Sequence, residues 1–207
     1  PILLLHGYPQ TYFIWHKIAS ELSEKYTVVA SDLRGYGDSS KPNSDKKHES
    51  YSKRAMAKDQ VKLMKHLGFD SFLVAGHDRG GRVGHRMALD YSGVVEKLVL
   101  MDIAPTYTMY KTTDMDFAKS YYHWFFLIQP ANIPETMIGA NPEFYLNKKI
   151  RQWGKDSDAF TKTAFSEYLR CFTPETIRAS CEDYRASASI DLEHDQIDID
   201  NNYKITC

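Results

Sequence analysis

The stretch Leu73-Val74-Ala75-Gly76-His77-Asp78-Arg79-Gly80-Gly81 places the strongest constraint on how this chain can fold. Its apolar start reads as a buried strand, which stops at a tight turn flanked by glycines and continues at once into a helix. An aspartate stands at the tip of the turn. The spacing Gly-x-Asp-x-Gly is that of a nucleophile elbow, which holds one side chain out beyond the end of a sheet strand. A carboxylate in that place points to attack on an alkyl carbon rather than an acyl carbon. A helix-capping aspartate is the alternative reading of Asp78.

An elbow of this kind needs a parallel sheet around it, and the neighbouring sequence supplies one. Ile2 to Leu5 reads as a strand ended by His6-Gly7-Tyr8-Pro9, after which Tyr12, Trp15, Ile18, Ala19 and Leu22 recur at helical spacing to about Glu24. Thr27 to Ala30 is a second strand, closed by the polar, Gly-rich loop Ser31 to Ser39, and Lys41 to Ser52 is a charged, exposed connection. Ala57, Val61, Met64 and Leu67 mark a helix that ends at Gly68. Phe72 to Ala75 is the third strand, Val83, Met87 and Ala88 line the helix after the elbow, and Lys97 to Met101 is a fourth strand ending at Asp102. Strands alternating with helices at this pitch predict an α/β fold, a mostly parallel sheet flanked by helices. Loops beyond the strands' carboxyl ends carry the chemistry in such sheets. His6-Gly7, Asp32, Asp78 and Asp102 all fall at that edge.

After Pro105 the pattern changes. Asp116 to Ile128, Pro142 to Trp153, Ala159 to Phe172 and Pro174 to Ala186 read as successive helices with no strand between them. The expected organisation is a sheet core over 1–106, an inserted helical cap over 107–195, and a return to the core over 196–207, with Ile205 starting another strand. Pro1 leads straight into a strand and Asn202 to Cys207 enters a strand cut short, so both ends read as truncations and the sheet as incomplete.

Composition narrows the partners. A formal charge of −1 on 207 residues carries no polyelectrolyte signal, which argues against nucleic acid and anionic membranes. Trp124 to Ile128 is far too short to span a bilayer, and no cleavable signal is visible. The odd number of late cysteines, Cys171, Cys181 and Cys207, argues against a disulfide framework and fits a reducing, cytoplasmic setting. No Cys or His spacing marks a metal site, and Gly35-x-Gly37 lacks the third glycine of a dinucleotide fingerprint, so no cofactor is expected. The acids Glu182, Asp183, Asp191, Glu193, Asp195, Asp198 and Asp200 read as a solvated face, with His194 among them.

Arg79 and Arg82 lie three apart at the head of one helix and can face the same side. Two planar guanidinium forks there suit a small carboxylate-bearing substrate. The alternative pairs one or both with internal acids such as Asp32 or Asp38. His85 and Arg86 read as structural or exposed. Elbow geometry assigns the backbone N–H groups of Tyr8 and Arg79 to an oxyanion hole.

Several segments together closely resemble the haloacetate (fluoroacetate) dehalogenases of the α/β-hydrolase superfamily. They are His6-Gly7-Tyr8-Pro9-Gln10-Thr11, Asp32-Leu33-Arg34-Gly35-Tyr36-Gly37-Asp38-Ser39-Ser40-Lys41-Pro42, Gly76-His77-Asp78-Arg79-Gly80-Gly81-Arg82, Asp102-Ile103-Ala104-Pro105-Thr106 and His123-Trp124-Phe125-Phe126. The resemblance runs over essentially the whole chain. It implies an α/β-hydrolase fold with a helical cap, and conversion of a haloacetate and water to glycolate and halide without cofactor, through an ester on Asp78. It further implies that Arg79 and Arg82 hold the substrate carboxylate, that His123, Trp124 and Tyr184 bind the halide, and that Asp102 orients a histidine. Fluoride is a poor leaving group, so N–H and O–H donors aimed at it have a physical task. Taken alone, the three aromatic positions read as packing and Asp102 as a turn residue. The family's base histidine follows the acid, and none of this chain's histidines suits that place, so the chain as given is expected not to turn over. A small haloacid is the expected partner, and a homodimer stays open. Two alternatives remain: an epoxide hydrolase, which also uses an aspartate elbow but needs cap tyrosines to protonate an epoxide oxygen, and a non-catalytic module that holds a small acid.

Overall fold

The computed structural model describes residues 1–154 and 160–207, with Trp153 and Gly154 described in backbone only. Among them, strands β1 (Ile2–Leu5), β2 (Val28–Ser31), β3 (Phe72–His77) and β4 (Val95–Met101) form one parallel sheet in the order β2-β1-β3-β4. Leu4 lies between Ala30 and Ala75, and Ala75 in turn pairs with Val99. The chain steps outward from β1 to β2 in one direction and from β3 to β4 in the other. The connections therefore diverge between β1 and β3, and a crevice opens at their carboxyl ends. The expected α/β sheet is present, and the elbow stands at its point of divergence.

Side-chain alternation along the strands feeds two cores. Leu3, Leu5, Phe72 and Val74 pack with Met56 and Met64 of α2 (Lys53–His66) and with Val83 and Met87 of α3 (Arg79–Asp90). Leu4 and Ala75 face the other way, against Trp15. Ser52 caps α2 by accepting the Ala55 N–H, and Gly68, at φ 88°, turns the chain after it. The single helix expected from Tyr12 to Glu24 is instead a 3₁₀ turn, Tyr12–Trp15, followed by the short α1 (Ala19–Ser23). Asp32 draws the Tyr12 N–H to 2.8 Å while Trp15 buries and Ile18 stays 43% exposed, so the apolar stripe is only half used.

The helices after β4 are more finely divided than their periodicity predicts. They run α4 (Thr106–Lys111), α5 (Met115–Ser120), α6 (Tyr122–Leu127), α7 (Ile133–Gly139), α8 (Pro142–Gly154), α9 (Lys162–Cys171), α10 (Pro174–Ser187) and α11 (Ile190–Asp200). The helix expected from Asp116 to Ile128 breaks at Tyr121, whose ring stacks on Phe117 at 4.7 Å. The expected start of another helix at Ala159 lies outside the described residues. None of the described helices is long and apolar enough to cross a membrane.

Two expectations about the C-terminal part need correction. Residues 196–207 do not return to the sheet: α11 continues through position 195 to Asp200, and 203–207 form no strand. Asp195 and Asp198 both accept hydrogen bonds from Arg86, which ties α11 to the elbow helix α3. The acidic run is a solvated face only in part, at the exposed Glu193 and Asp200. Asp183, Asp191, Asp198 and Glu182 are all buried, because Arg79 and Lys53 meet Asp183, Lys53 meets Asp191, Arg86 meets Asp198, and Arg185 and His48 meet Glu182. Paired charges of this kind tolerate burial where isolated ones would not.

Candidate active site

Asp78 sits between β3 and α3 with φ 48° and ψ −116°, outside the regions an L-residue ordinarily occupies. Its neighbours make that turn possible. A Cβ on Gly80 would stand 2.5 Å from the His6 carbonyl oxygen, and one on Gly7 would stand 2.5 Å from the Asp78 Cβ. The elbow and the loop after β1 therefore touch backbone to backbone. The Tyr8 N–H donates to Asp78 Oδ2 at 2.9 Å, and the Asp78 N–H donates to Met101 O at 3.1 Å. His6 braces the loop from behind: its Nδ1 donates to Gly7 O and its Nε2 accepts the Leu33 N–H, both at 3.0 Å. Burial lowers its pKa, consistent with a neutral ring in that role.

A cavity of about 230 Å³ opens in front of Asp78. Tyr8, Arg82, His123, Trp124 and Lys149 line it, together with His77 and Asp102 from the sheet edge. Arg82 is buried; its Nη1 donates to Ala104 O and Thr106 Oγ1, each at 2.9 Å, and its guanidinium lies 4.6 Å from the Trp124 ring centroid. Neither Asp32 nor Asp38 holds it. Asp32 accepts the Tyr12 and Asp38 N–H groups, and Asp38 pairs with Arg170 at 2.7 Å.

Arg79 takes the internal-acid alternative, but with a partner the sequence did not single out. It is fully buried, donating from Nε to Asp183 Oδ2 at 2.8 Å and from Nη2 to Asp183 Oδ1 at 2.5 Å and Ser187 Oγ at 2.6 Å. Burial opposes its charge, yet Asp183 holds its pKa well above the usual value. Its Nη1 makes no hydrogen bond among the described residues. Tyr184 stacks beneath this guanidinium, 4.2 Å from ring centroid to Cζ, and meets the Tyr8 and His123 rings edge-on at 5.3 and 5.8 Å. Arg79 and Tyr184 thus lie behind the lining side chains rather than among them.

His123 is buried with its Nδ1 unbonded among the described residues. Burial and the nearby Lys149 and Arg79 charges push its pKa down to about 2, so it is a neutral imidazole. Asp102 has φ 57°, and its side chain, 75% exposed, stands 3.9 Å from His77 Nε2, too far for a hydrogen bond.

Lys149 is a lining residue that sequence reasoning missed, as it missed Met109, Tyr121, Ile150 and Phe160. Lys149 lies within the helix expected from Pro142 to Trp153, where it follows the buried Leu146 by three residues and precedes the buried Ile150 by one. That spacing was the available signal. Burial lowers its pKa to about 8, against the attraction of Asp78.

The sequence matches a profile for the α/β-hydrolase fold over residues 1–172. It is 48% identical over 200 residues to a fluoroacetate dehalogenase from Burkholderia sp, covering 96% of this chain and 66% of that protein. It is 33% identical over 200 residues to a soluble epoxide hydrolase from Corynebacterium sp. (strain C12), covering 94% of this chain and 68% of that protein. A solved α/β-hydrolase structure from Nostoc sp PCC 7120 superposes with a TM-score of 0.98 at 62% identity, over 100% of this chain and 71% of that one. The chain spans about two thirds of the length of these curated relatives.

Proposed function

The chain belongs to the α/β-hydrolase family, and from that premise we propose that its site performs the hydrolytic dehalogenation of small haloacids, fluoroacetate among them. The observation that carries this reading is the Asp78 carboxylate, held by the Tyr8 N–H and facing a small cavity with a buried arginine and neutral donors on its walls. The similarity to a fluoroacetate dehalogenase supports it.

In this reading the Tyr8 N–H steadies Oδ2 while Oδ1 attacks the α-carbon of the haloacetate. The carbon–oxygen bond forms as the carbon–halogen bond breaks, and the electron pair leaves with the halide. Arg82, whose Nε makes no hydrogen bond among the described residues, holds the substrate carboxylate, with the Arg79 charge buried behind it. The imidazole of His123 and the indole of Trp124 meet the charge developing on the halide, and Tyr184 packs behind them. The Tyr8 and Arg79 N–H groups then stabilise the tetrahedral intermediate when water attacks the Asp78 ester. Asp102 is assigned to orient the base for that second step. His77, 3.9 Å from Asp102, is not hydrogen-bonded to it.

Epoxide hydrolysis is the second reading, favoured by the 33% identity to a soluble epoxide hydrolase and by the Tyr8 and Tyr145 hydroxyls, 3.1 Å apart beside the cavity. It leaves Arg82 without a substrate partner. Incubation with fluoroacetate, chloroacetate and styrene oxide, read by halide release and by mass spectrometry of the Asp78 peptide, separates the two. A carboxymethyl adduct with halide release is expected, absent in Asp78→Asn. A styrene oxide adduct with no halide from either acid refutes the proposal, and binding with no adduct at all favours a small-acid-binding module.

A further inference from the structure

The haloacid reading places a departing anion beside two neutral donors, His123 and Trp124, and gives the arginine on the wall, Arg82, to the substrate carboxylate. Arg79 donates from Nε and Nη2 to Asp183 and Ser187, and Arg82 donates to Ala104, Thr106 and Met109. The other cation on the wall is Lys149. It is 3% exposed, and its Nζ donates to Gln152 Oε1 at 3.1 Å and lies 4.8 Å from the Tyr122 ring centroid. An ammonium has three donors. Gln152 takes one, the Tyr122 face contributes a cation–π contact, and the group lines the same cavity as Asp78 and His123. Its charge reaches both neighbours: it opposes protonation of His123, and Asp78 favours its own charged form.

Resting on the dehalogenase reading, we propose that Lys149 is a specificity-determining cation, whose ammonium meets the displaced halide from the His123 side and favours fluoride over larger halides. An ammonium is a compact point charge, unlike the delocalised guanidinium. Among the halides, fluoride concentrates its charge in the smallest volume and gains most from such a partner. In the step itself, Asp78 Oδ1 bonds to the α-carbon, the carbon–fluorine bond breaks, and its electron pair departs as fluoride against the Lys149 ammonium. A carboxymethyl ester remains on Asp78, and no proton need move.

The test is the rate of Asp78 alkylation by fluoroacetate and by bromoacetate, followed by mass spectrometry in the unaltered chain, Lys149→Met and Lys149→Arg. Methionine keeps the stem and the packing without the charge. The expected result in Lys149→Met is a fall of roughly a hundredfold for fluoroacetate, the scale of losing one transition-state donor, with a several-fold smaller fall for bromoacetate. Partial recovery of the fluoroacetate rate is expected in Lys149→Arg. Equal falls for both acids, or no fall for either, overturn the inference and leave Lys149 as a packing residue, while the dehalogenase reading stands on the unaltered chain's adduct. No adduct from either acid in the unaltered chain refutes that reading, and this inference with it.

Discussion

Replacing Asp183 by asparagine tests the central link between α3 and α10. Asp183 is fully buried and accepts from Tyr36 Oη at 2.6 Å, from Arg79 Nε and Nη2, and from Lys53 Nζ. Asparagine keeps the shape and removes the charge, leaving two buried cations facing a neutral amide. Removing one partner of a buried ion pair costs about 3–5 kcal/mol. Asp191, 3.5 Å from Lys53 Nζ, still faces the lysine, which places the expected loss near the lower end, at about 3 kcal/mol. For a chain of this size that corresponds to a fall of about 6–12 °C in Tm. Urea unfolding followed by circular dichroism, with calorimetry for Tm, measures both. The effect also depends on pH. Burial opposes the charged form of Asp183, but Arg79 and Lys53 prevail and hold its folded pKa below the unfolded carboxylate value. Its stabilisation is therefore complete above about pH 4 and is lost as pH falls through the folded pKa. Asp183→Asn should narrow the gap to the unaltered chain under strong acid. An unfolding free energy within about 0.5 kcal/mol of the unaltered chain at neutral pH refutes the assignment of Asp183 as the charge partner of Arg79.

Gly80→Ala puts a Cβ 2.5 Å from the His6 carbonyl, so a destabilisation of about 1–3 kcal/mol is expected, with slower Asp78 alkylation as the Tyr8 N–H is displaced. A melting curve and the adduct assay read the two effects. If Lys149 serves the halide, fluoride release falls as pH rises through about 8, because its ammonium loses its proton there. Around it stand Asp78 on the elbow, His123 and Tyr122 on α6, and Arg79 and Arg82 on α3; His123 is neutral throughout that range. A pH–rate profile of Lys149→Met should lack this alkaline limb.

The sheet could be read from the sequence because each strand is an apolar run closed by glycine or aspartate, and Asp78 and Asp102 fell at its carboxyl edge for that reason. The elbow was legible because Gly76 and Gly80 have no substitute where backbone meets backbone. Partner choice was not legible. Nothing near Asp183 in the sequence says that its cations come from α2 and α3, so a buried network read as a solvated acidic face. Lys149 was hidden in the same way, since a lysine's burial depends on what packs over its helix. The Asp116 to Ile128 segment splits where Tyr121 leaves helical backbone, at φ −107° and ψ 32°, a local choice that periodicity does not encode.

The pairs that neutralise the elbow helix also impose an order of assembly. Asp183 lies 104 residues after Arg79 and 130 after Lys53, and Asp198 lies 112 after Arg86. At about 5–20 residues per second of synthesis, the acids emerge about 5–20 s after the arginines they neutralise. β1, β2 and β3 can align in that interval, but α3 cannot bury Arg79 without stranding its charge, whereas Arg86 already has Asp90 on its own helix. The elbow therefore acquires its final geometry late, when α10 and α11 reach it, and a nascent chain that stops short of residue 183 carries a nucleophile whose supporting helix is still held open to water by the Arg79 charge.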